Sequence, residues 1–255
     1  MRAKELIDQI VEVTSWEMTG LASPIFLVLL SAVIFFFIPS VGGIQGAGGV
    51  QGKSDLLAIA ANDLFSGIAT EAVTRLYVPL VLTVSFCLMN AFTREFDSGL
   101  AKFYLSLPAS RLAIFIGKLL ASFLLIGSIE ISGSLLYAYL LDPVNFLSYF
   151  CGINNVIVLS YCLFSELFFI FGVTTFICLL APKSWVAVAL STFSLYSFQF
   201  ANELQPQLVW FLPPHIFLLS PLDPLRVLLG VLLLVLSAGL LLLSAYLFVR
   251  KVQVS

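Results

Sequence analysis

The chain has 255 residues, of which 60% are hydrophobic and only 10% are charged, and its mean hydropathy is +1.09. Soluble domains carry about a quarter charged residues, so this composition predicts an all-α integral membrane protein and excludes a soluble enzyme of ordinary type. The net charge of −2 does not favour nucleic acid as a partner. Because apolar runs fill most of the chain, we expect a single transmembrane domain over residues 1–255.

An amphipathic helix is predicted at the start of the chain, over residues 1–20, lying at the membrane surface against lipid. Its apolar face comprises Ala3, Leu6, Ile7, Ile10, Val11 and Val13. Its polar face comprises Lys4, Glu5, Asp8, Gln9, Glu12 and Ser15. Trp16 is expected at the depth of the lipid headgroups.

Six apolar runs follow, each long enough to be a predicted transmembrane helix. They cover residues 21–38, 76–92, 112–141, 153–181, 185–201 and 227–249. The fourth run is longer than one perpendicular crossing needs, which indicates a tilted helix. Between residues 203 and 224 five prolines interrupt an apolar stretch, so we expect a short re-entrant hairpin on the outer side.

The longest charged interval, residues 94–108, separates the second and third runs and predicts a short amphipathic helix across the mouth of these two spans. Ser98 is a candidate N-cap, and Pro108 is expected to end the helix. A second helix is predicted to start at Ser110. Lys118 lies within the following apolar run, where we expect its long side chain to extend back to water.

The distribution of basic residues predicts the orientation. With six spans, nine of the twelve Lys and Arg residues fall on the side that holds both termini. They are Arg2, Lys4, Arg94, Lys102, Arg111, Lys118, Lys183, Arg250 and Lys251. The positive-inside rule therefore predicts a multi-pass cell-membrane protein with both termini and the 94–108 segment in the cytoplasm.

The charged interval resembles the coupling segment in the membrane subunit, or permease, of type 2 ATP-binding-cassette (ABC) exporters. The resemblance rests on an acidic residue, a glycine, an apolar turn, then Pro-x-Ser-Arg and Gly-Lys. These are Glu95, Gly99, the apolar residues after it, Pro108, Ser110, Arg111, Gly117 and Lys118. Leu100 stands where that family usually has threonine, and Lys102 where an acidic residue is common.

The resemblance implies a permease that forms the substrate path and couples to a separate ABC ATP-binding subunit. ATP and Mg would bind to that partner, and this chain would hold no cofactor. A second copy of the chain or a related permease would complete a dimer. The residues expected to couple to the ATPase are Glu95, Asp97, Gly99, Leu100, Phe103, Leu107, Pro108, Arg111 and Lys118.

Two glutamates fall inside predicted spans, where a carboxylate costs several kcal/mol unless it is protonated, paired or facing water. Glu130 and Glu166 therefore either face a polar path or each other, or act as protonated side chains that bond neighbouring helices. Ser191 and Ser194, in the hydroxyl-rich fifth span, are further candidates for the translocation path.

Motifs for chemistry are absent from the sequence. Ala47–Ser54 matches a phosphate-binding loop, but a membrane span precedes it and the orientation places it outside the cell, so we expect no ATP binding there. The single histidine, His215, has no second histidine or nearby cysteine for a metal site, and the four cysteines lack metal-type spacing. We therefore expect a transporter subunit rather than an enzyme.

Two other functions remain open. A secondary transporter could be driven by protons through Glu130 and Glu166, although no inverted repeat is evident in the two halves of the chain. A membrane scaffold without transport activity is the third possibility, although the charged interval is more elaborate than an inert linker needs.

Overall fold

The structure, a computed structural model, describes residues 3–21, 77, 80–97, 109–141, 153–204 and 224–254. All regular secondary structure in these ranges is helical and they contain no strand, which confirms the all-α prediction for this part of the chain. The predicted first span, residues 98–108 of the coupling helix, the Ala47–Ser54 loop and the outer hairpin with His215 lie outside the described residues.

The described helices follow the predicted elements closely. They are α1 (Ala3–Leu21), α2 (residues 80–97), α3 (Arg111–Leu141), α4 (Ile153–Leu180), α5 (Ser184–Leu204) and α6 (Pro224–Val254). The helix predicted to end at residue 92 continues through Asp97, so the first residues of the charged interval belong to α2.

Three of these helices are long and apolar enough to cross a membrane, as expected of a membrane protein. They are the stretches Arg111–Ser132 of α3, Leu163–Leu180 of α4 and Leu228–Arg250 of α6, which correspond to the predicted third, fourth and sixth spans. Helix α5, predicted as the fifth span, is not among the three that were found in the described residues. Its several hydroxyl residues and its Gln199, Asn202 and Glu203 lower its hydropathy.

Helix packing follows two main contacts, α1 against α3 and α4 against α6. At Gly172 of α4 a Cβ atom would lie 3.0 Å from the backbone of Ser237, so glycine allows α4 and α6 to cross closely. Helix α5 packs against α4 and the turn Met89–Thr93 of α2. The core between these helices is apolar and includes Leu167, Ile170 and Phe171 of α4.

Four phenylalanines pack together at one end of the helices. Phe248 of α6 contacts Phe92, Phe96 and Phe115, with ring centroids 5.4–5.9 Å apart in this group. This cluster joins the end of α2, the start of α3 and the end of α6. Arg94, Arg111 and Arg250 lie within four residues of these phenylalanines, and Lys183 follows Cys178, whose carbonyl accepts a hydrogen bond from Thr93 next to Phe92. We call this the basic end of the molecule.

Candidate functional site

The start of α3 is defined by Ser110, whose Oγ accepts a hydrogen bond from the N–H of Ala113 at 3.1 Å. This is the N-cap arrangement, and it confirms the helix start predicted from the sequence. Lys118 lies seven residues beyond Arg111, which is about 10 Å along the helix axis. Its position places a charged side chain two turns inside an apolar helix.

Lys118 is fully buried and forms ion pairs with two glutamates. Its Nζ donates to Oε1 of Glu17 on α1 and to Oε1 of Glu95 on α2, each at 2.5 Å. The expectation that Lys118 extends to water is therefore wrong, because two carboxylates meet the ammonium group inside the protein. We call Glu17, Lys118 and Glu95 the ion-pair cluster.

Two carboxylates share one ammonium group among the described residues of the ion-pair cluster. One ammonium meets two carboxylates, and the glutamate side chains keep 17% and 14% of their surface exposed while that of Lys118 keeps none. Burying an ammonium without a partner costs several kcal/mol, so the lysine needs at least one carboxylate. The second carboxylate ties a third helix to the same charge. The cluster therefore connects α1, α2 and α3 through one side chain.

Helix α1 reaches Lys118 because Gly117 lets the two backbones approach. A Cβ atom at Gly117 would lie 2.6 Å from Cγ1 of Val13 and 3.2 Å from the backbone nitrogen of Thr14, so only glycine fits. One turn back, Gln9 Oε1 accepts a hydrogen bond from the N–H of Ser110 at 3.1 Å. In these contacts the residue numbers increase in the same direction on both helices. Helix α1 is therefore parallel to the first turns of α3.

The residues of α1 that pack against α3 differ in part from the predicted apolar face. Val13 is buried against α3 as its apolar character suggests, whereas Ile7 and Val11 remain exposed. Gln9, assigned to the polar face, instead bonds to Ser110. The exposed row of Ile7 and Val11 is the part of the apolar face that is left for a membrane surface, and that placement stays a prediction.

Glu95 reaches Lys118 after a π-helical turn over Met89–Thr93. In this turn the N–H of Arg94 bonds to the carbonyl of Met89, so the turn holds one residue more than an α-helical turn. An extra residue rotates the following side chains by about 100°. Oγ1 of Thr93 donates to the carbonyl of Cys178 on α4 at 2.8 Å and fixes this orientation. Isolated π turns frequently occur at functional sites.

The predicted coupling residues are only partly described. Glu95, Arg111 and Lys118 lie at the basic end, with Glu95 bonded to Lys118 and Arg111 in the first turn of α3. Asp97 is the last described residue of α2. Gly99, Leu100, Phe103, Leu107 and Pro108 lie outside the described residues.

Glu17 was not among the residues singled out from the sequence. It continues the row of α1 residues that face α3, because Leu6, Ile10, Val13 and Glu17 recur at spacings of three and four. The sequence contained one indication of this contact. It was a carboxylate on an otherwise apolar row, together with a lysine two turns into an apolar helix. Nothing in the sequence alone showed that the two would meet.

The four candidate path residues lie in two separate regions, the glutamates on α3 and α4 and the serines on α5. Glu130 and Glu166 are buried on facing helices, α3 and α4, and lie close enough for the charge of Glu130 to act on Glu166. Ser191 is buried on α5, where its Oγ is 2.9 Å from Oγ of Ser85 and donates to the carbonyl of Ala187 at 2.8 Å. Ser194 is half-buried, and its carbonyl accepts a hydrogen bond from Ser197 at 2.9 Å.

Comparisons with known proteins do not identify the chain. No protein-family model matches it, and no curated protein is detectably similar to it in sequence.

Proposed function

We propose that this chain is the permease subunit of a type 2 ABC exporter. It would cross the cell membrane six times, with both termini in the cytoplasm, and would form the substrate path with a second copy or a related permease. A separate ATP-binding subunit would bind ATP and Mg and supply the energy. The chain itself would carry out no chemical reaction.

The ion-pair cluster is the observation that best supports this function. The charged interval begins within α2 and leads to α3, and Glu95 at its entrance is bonded to Lys118 beyond its exit. Glu17 adds α1 to the same group. A force applied to the interval by a partner would therefore move α1, α2 and α3 together, as rigid-body coupling requires.

The partner contact is tested by truncating an apolar residue of the charged interval. Phe103→Ala should weaken co-purification with the proposed ATP-binding subunit, because losing an aromatic anchor at an interface costs about 2 kcal/mol or more. Phe193→Ala is the matched control, since Phe193 is an exposed aromatic on α5. Equal co-purification of both variants with the partner would show that Phe103 is not the contact. Failure of the unaltered chain to associate with any ATP-binding subunit would overturn the exporter assignment.

A proton-driven secondary transporter is the second candidate, because Glu130 and Glu166 lie near each other inside the protein. Flux into proteoliposomes distinguishes the two functions. The exporter needs ATP and the partner subunit and works without a pH gradient. The secondary transporter works on a pH gradient without ATP, and flux under that condition would favour it.

A further inference from the structure

Glu130 and Glu166 lie on the seam between α3 and α4. Phe123 packs against Phe171 with ring centroids 5.2 Å apart, and a Cβ at Gly127 would lie 3.3 Å from Cδ2 of Leu167. The second contact lies four residues later than the first on α3 but four residues earlier on α4. The two helices are therefore antiparallel here. The next turn brings Glu130 level with Phe164, two residues before Glu166, so the two carboxyl groups lie on neighbouring turns of the seam.

The two carboxyl groups are deeply buried, and three of their four oxygens have no hydrogen-bond partner among the described residues. Glu166 is 1% exposed and Glu130 is 6% exposed. Both oxygens of Glu166 and Oε2 of Glu130 have no partner in this part of the chain. A buried polar group left without a partner costs about 1–3 kcal/mol, more when charged. Protonation does not remove this cost, because a carboxylic acid still has a donor and an acceptor to satisfy.

The basic side chains that the structure describes are committed elsewhere or distant. Lys118 is held by Glu17 and Glu95, and it precedes Glu130 by 12 residues, or about 18 Å along α3. Arg111, Lys183 and Arg250 lie at the basic end, and the side chain of Arg226, in the first turn of α6, is outside the described residues. No described basic side chain meets the pair, so a cation that binds to these carboxyl groups has to come from outside the described residues.

The surroundings of the pair are aromatic and apolar. Phe164 packs against Phe123 at 5.7 Å and stacks on Phe168 at 5.8 Å. Inorganic cations such as calcium require six to eight oxygen ligands, which this seam does not offer in the described residues. Aromatic faces instead attract organic cations. Phe164 is also 54% exposed on the outside of the helix pair, so it presents an aromatic ring to a ligand arriving from the bilayer.

We propose that Glu130 and Glu166 form a binding site for lipophilic ammonium compounds, in which the carboxyl groups take the cation and the phenylalanines its apolar body. The place of this site on an export path, and hence ammonium compounds as the substrate class, rests on the proposed permease function. Binding itself needs only this chain.

Equilibrium binding to the purified full chain in phospholipid nanodiscs tests the site. The probe is radiolabelled benzyltriethylammonium, with empty nanodiscs as the blank and the neutral analogue carrying carbon in place of nitrogen as the chemical control. Glu130→Gln and Glu166→Gln should each raise the Kd at least tenfold, because Gln keeps the shape and removes the charge. Glu12→Gln, at an exposed glutamate of α1, should leave the Kd unchanged. Unchanged binding in both seam variants, or equal binding of the neutral analogue, would overturn the proposal.

A measurement on the unaltered chain covers the case in which a Gln variant fails to fold. Dicyclohexylcarbodiimide should label Glu130 or Glu166, as located by mass spectrometry, and benzyltriethylammonium should slow this labelling at least tenfold. Labelling that the ammonium compound does not slow would refute the site.

The two proposals fail separately. A chain that binds the probe but associates with no ATP-binding subunit keeps the site and loses the exporter function. A chain that associates with the partner but does not bind the probe loses the site alone.

Discussion

Lys118 lies in an environment that its sequence context did not predict. A lysine two turns into an apolar helix would ordinarily extend along the helix to water. Here its stem is enclosed and its ammonium group meets Glu17 and Glu95, each at 2.5 Å. An enclosed ammonium paired in this way constrains geometry, because few positions of the three helices satisfy both bonds at once.

Replacing Lys118 should destabilise the protein strongly. Lys118→Met keeps the length of the side chain but leaves two partly buried carboxylates facing each other, which we expect to cost about 3 kcal/mol. Thermal unfolding in detergent should show a clearly lower Tm. Lys183→Met is the matched control, since Lys183 is exposed between α4 and α5. If both variants melt at the same temperature, the ion pairs do not stabilise the fold.

At the scale of the elements, the contact between α1 and α3 depends on a missing side chain. Gly117 touches Val13 and the backbone of Thr14, and the hydroxyl of Thr14 also lies 3.4 Å from the carbonyl of Gly117. The same approach brings Glu17 within reach of Lys118. The close helix contact and the ion pair therefore depend on each other.

Gly117→Ala should loosen α1 despite the better helix propensity of alanine. The added Cβ would overlap Val13, and overpacking of this kind costs about 1–3 kcal/mol. Gly239→Ala on α6 is the matched control, because a Cβ there meets nothing within 4 Å. We expect a lower Tm and faster amide exchange in α1 for the first variant only. Unchanged exchange in α1 of the Gly117→Ala protein would contradict the close contact.

The π turn of α2 is predicted to position Glu95 for its bond to Lys118. Deleting Asn90 should restore an α-helical turn and rotate Glu95 away from Lys118 by about 100°. The deletion should then lower the Tm, and adding Glu95→Gln to it should have no further effect. Asn90→Ala, which keeps the chain length and therefore the turn, should remain sensitive to Glu95→Gln. Equal sensitivity in both backgrounds would show that the turn does not position Glu95.

At the scale of the whole molecule, two polar centres are separated along α3. The ion-pair cluster lies at the basic end, where the charged interval enters and leaves the helices. The carboxyl pair lies about 18 Å further along the same helix. Helix α3 is continuous over Arg111–Leu141 and belongs to both, so a movement of the cluster would be transmitted to the carboxyl pair by a single rigid element.

Because the proposed exporter binds ATP in a separate subunit, we expect the isolated chain to bind no ATP. Ala47–Ser54 resembles a phosphate-binding loop in letters only, because it follows an apolar run rather than a buried strand. Equilibrium dialysis with labelled ATP and Mg should give no saturable binding, and Lys53→Ala should behave as the unaltered chain does. Saturable binding that Lys53→Ala abolishes would place the nucleotide site in this chain and overturn the assignment.

The helical class, the bounds of α3 and α4 and the start of α3 at Ser110 were predictable from the sequence. These follow from local properties, namely the length of apolar runs, the cap at Ser110 and the positions of prolines and charges. The bounds of α3 and α4 were predicted to within one residue. The end of α2 was not, because a π turn carries the helix past residue 92 through contacts with α4.

Only the tertiary structure decided which polar side chains meet. Glu17 and Lys118 are separated by 101 residues, and their pairing depends on a glycine that lets two helices touch. The sequence left open whether Glu130 and Glu166 face each other, and the antiparallel register of α3 and α4 brings them together. Periodicity reports which face of a helix is apolar. It does not report which helix covers that face, because many packings bury similar apolar areas, and the few polar contacts inside them select one.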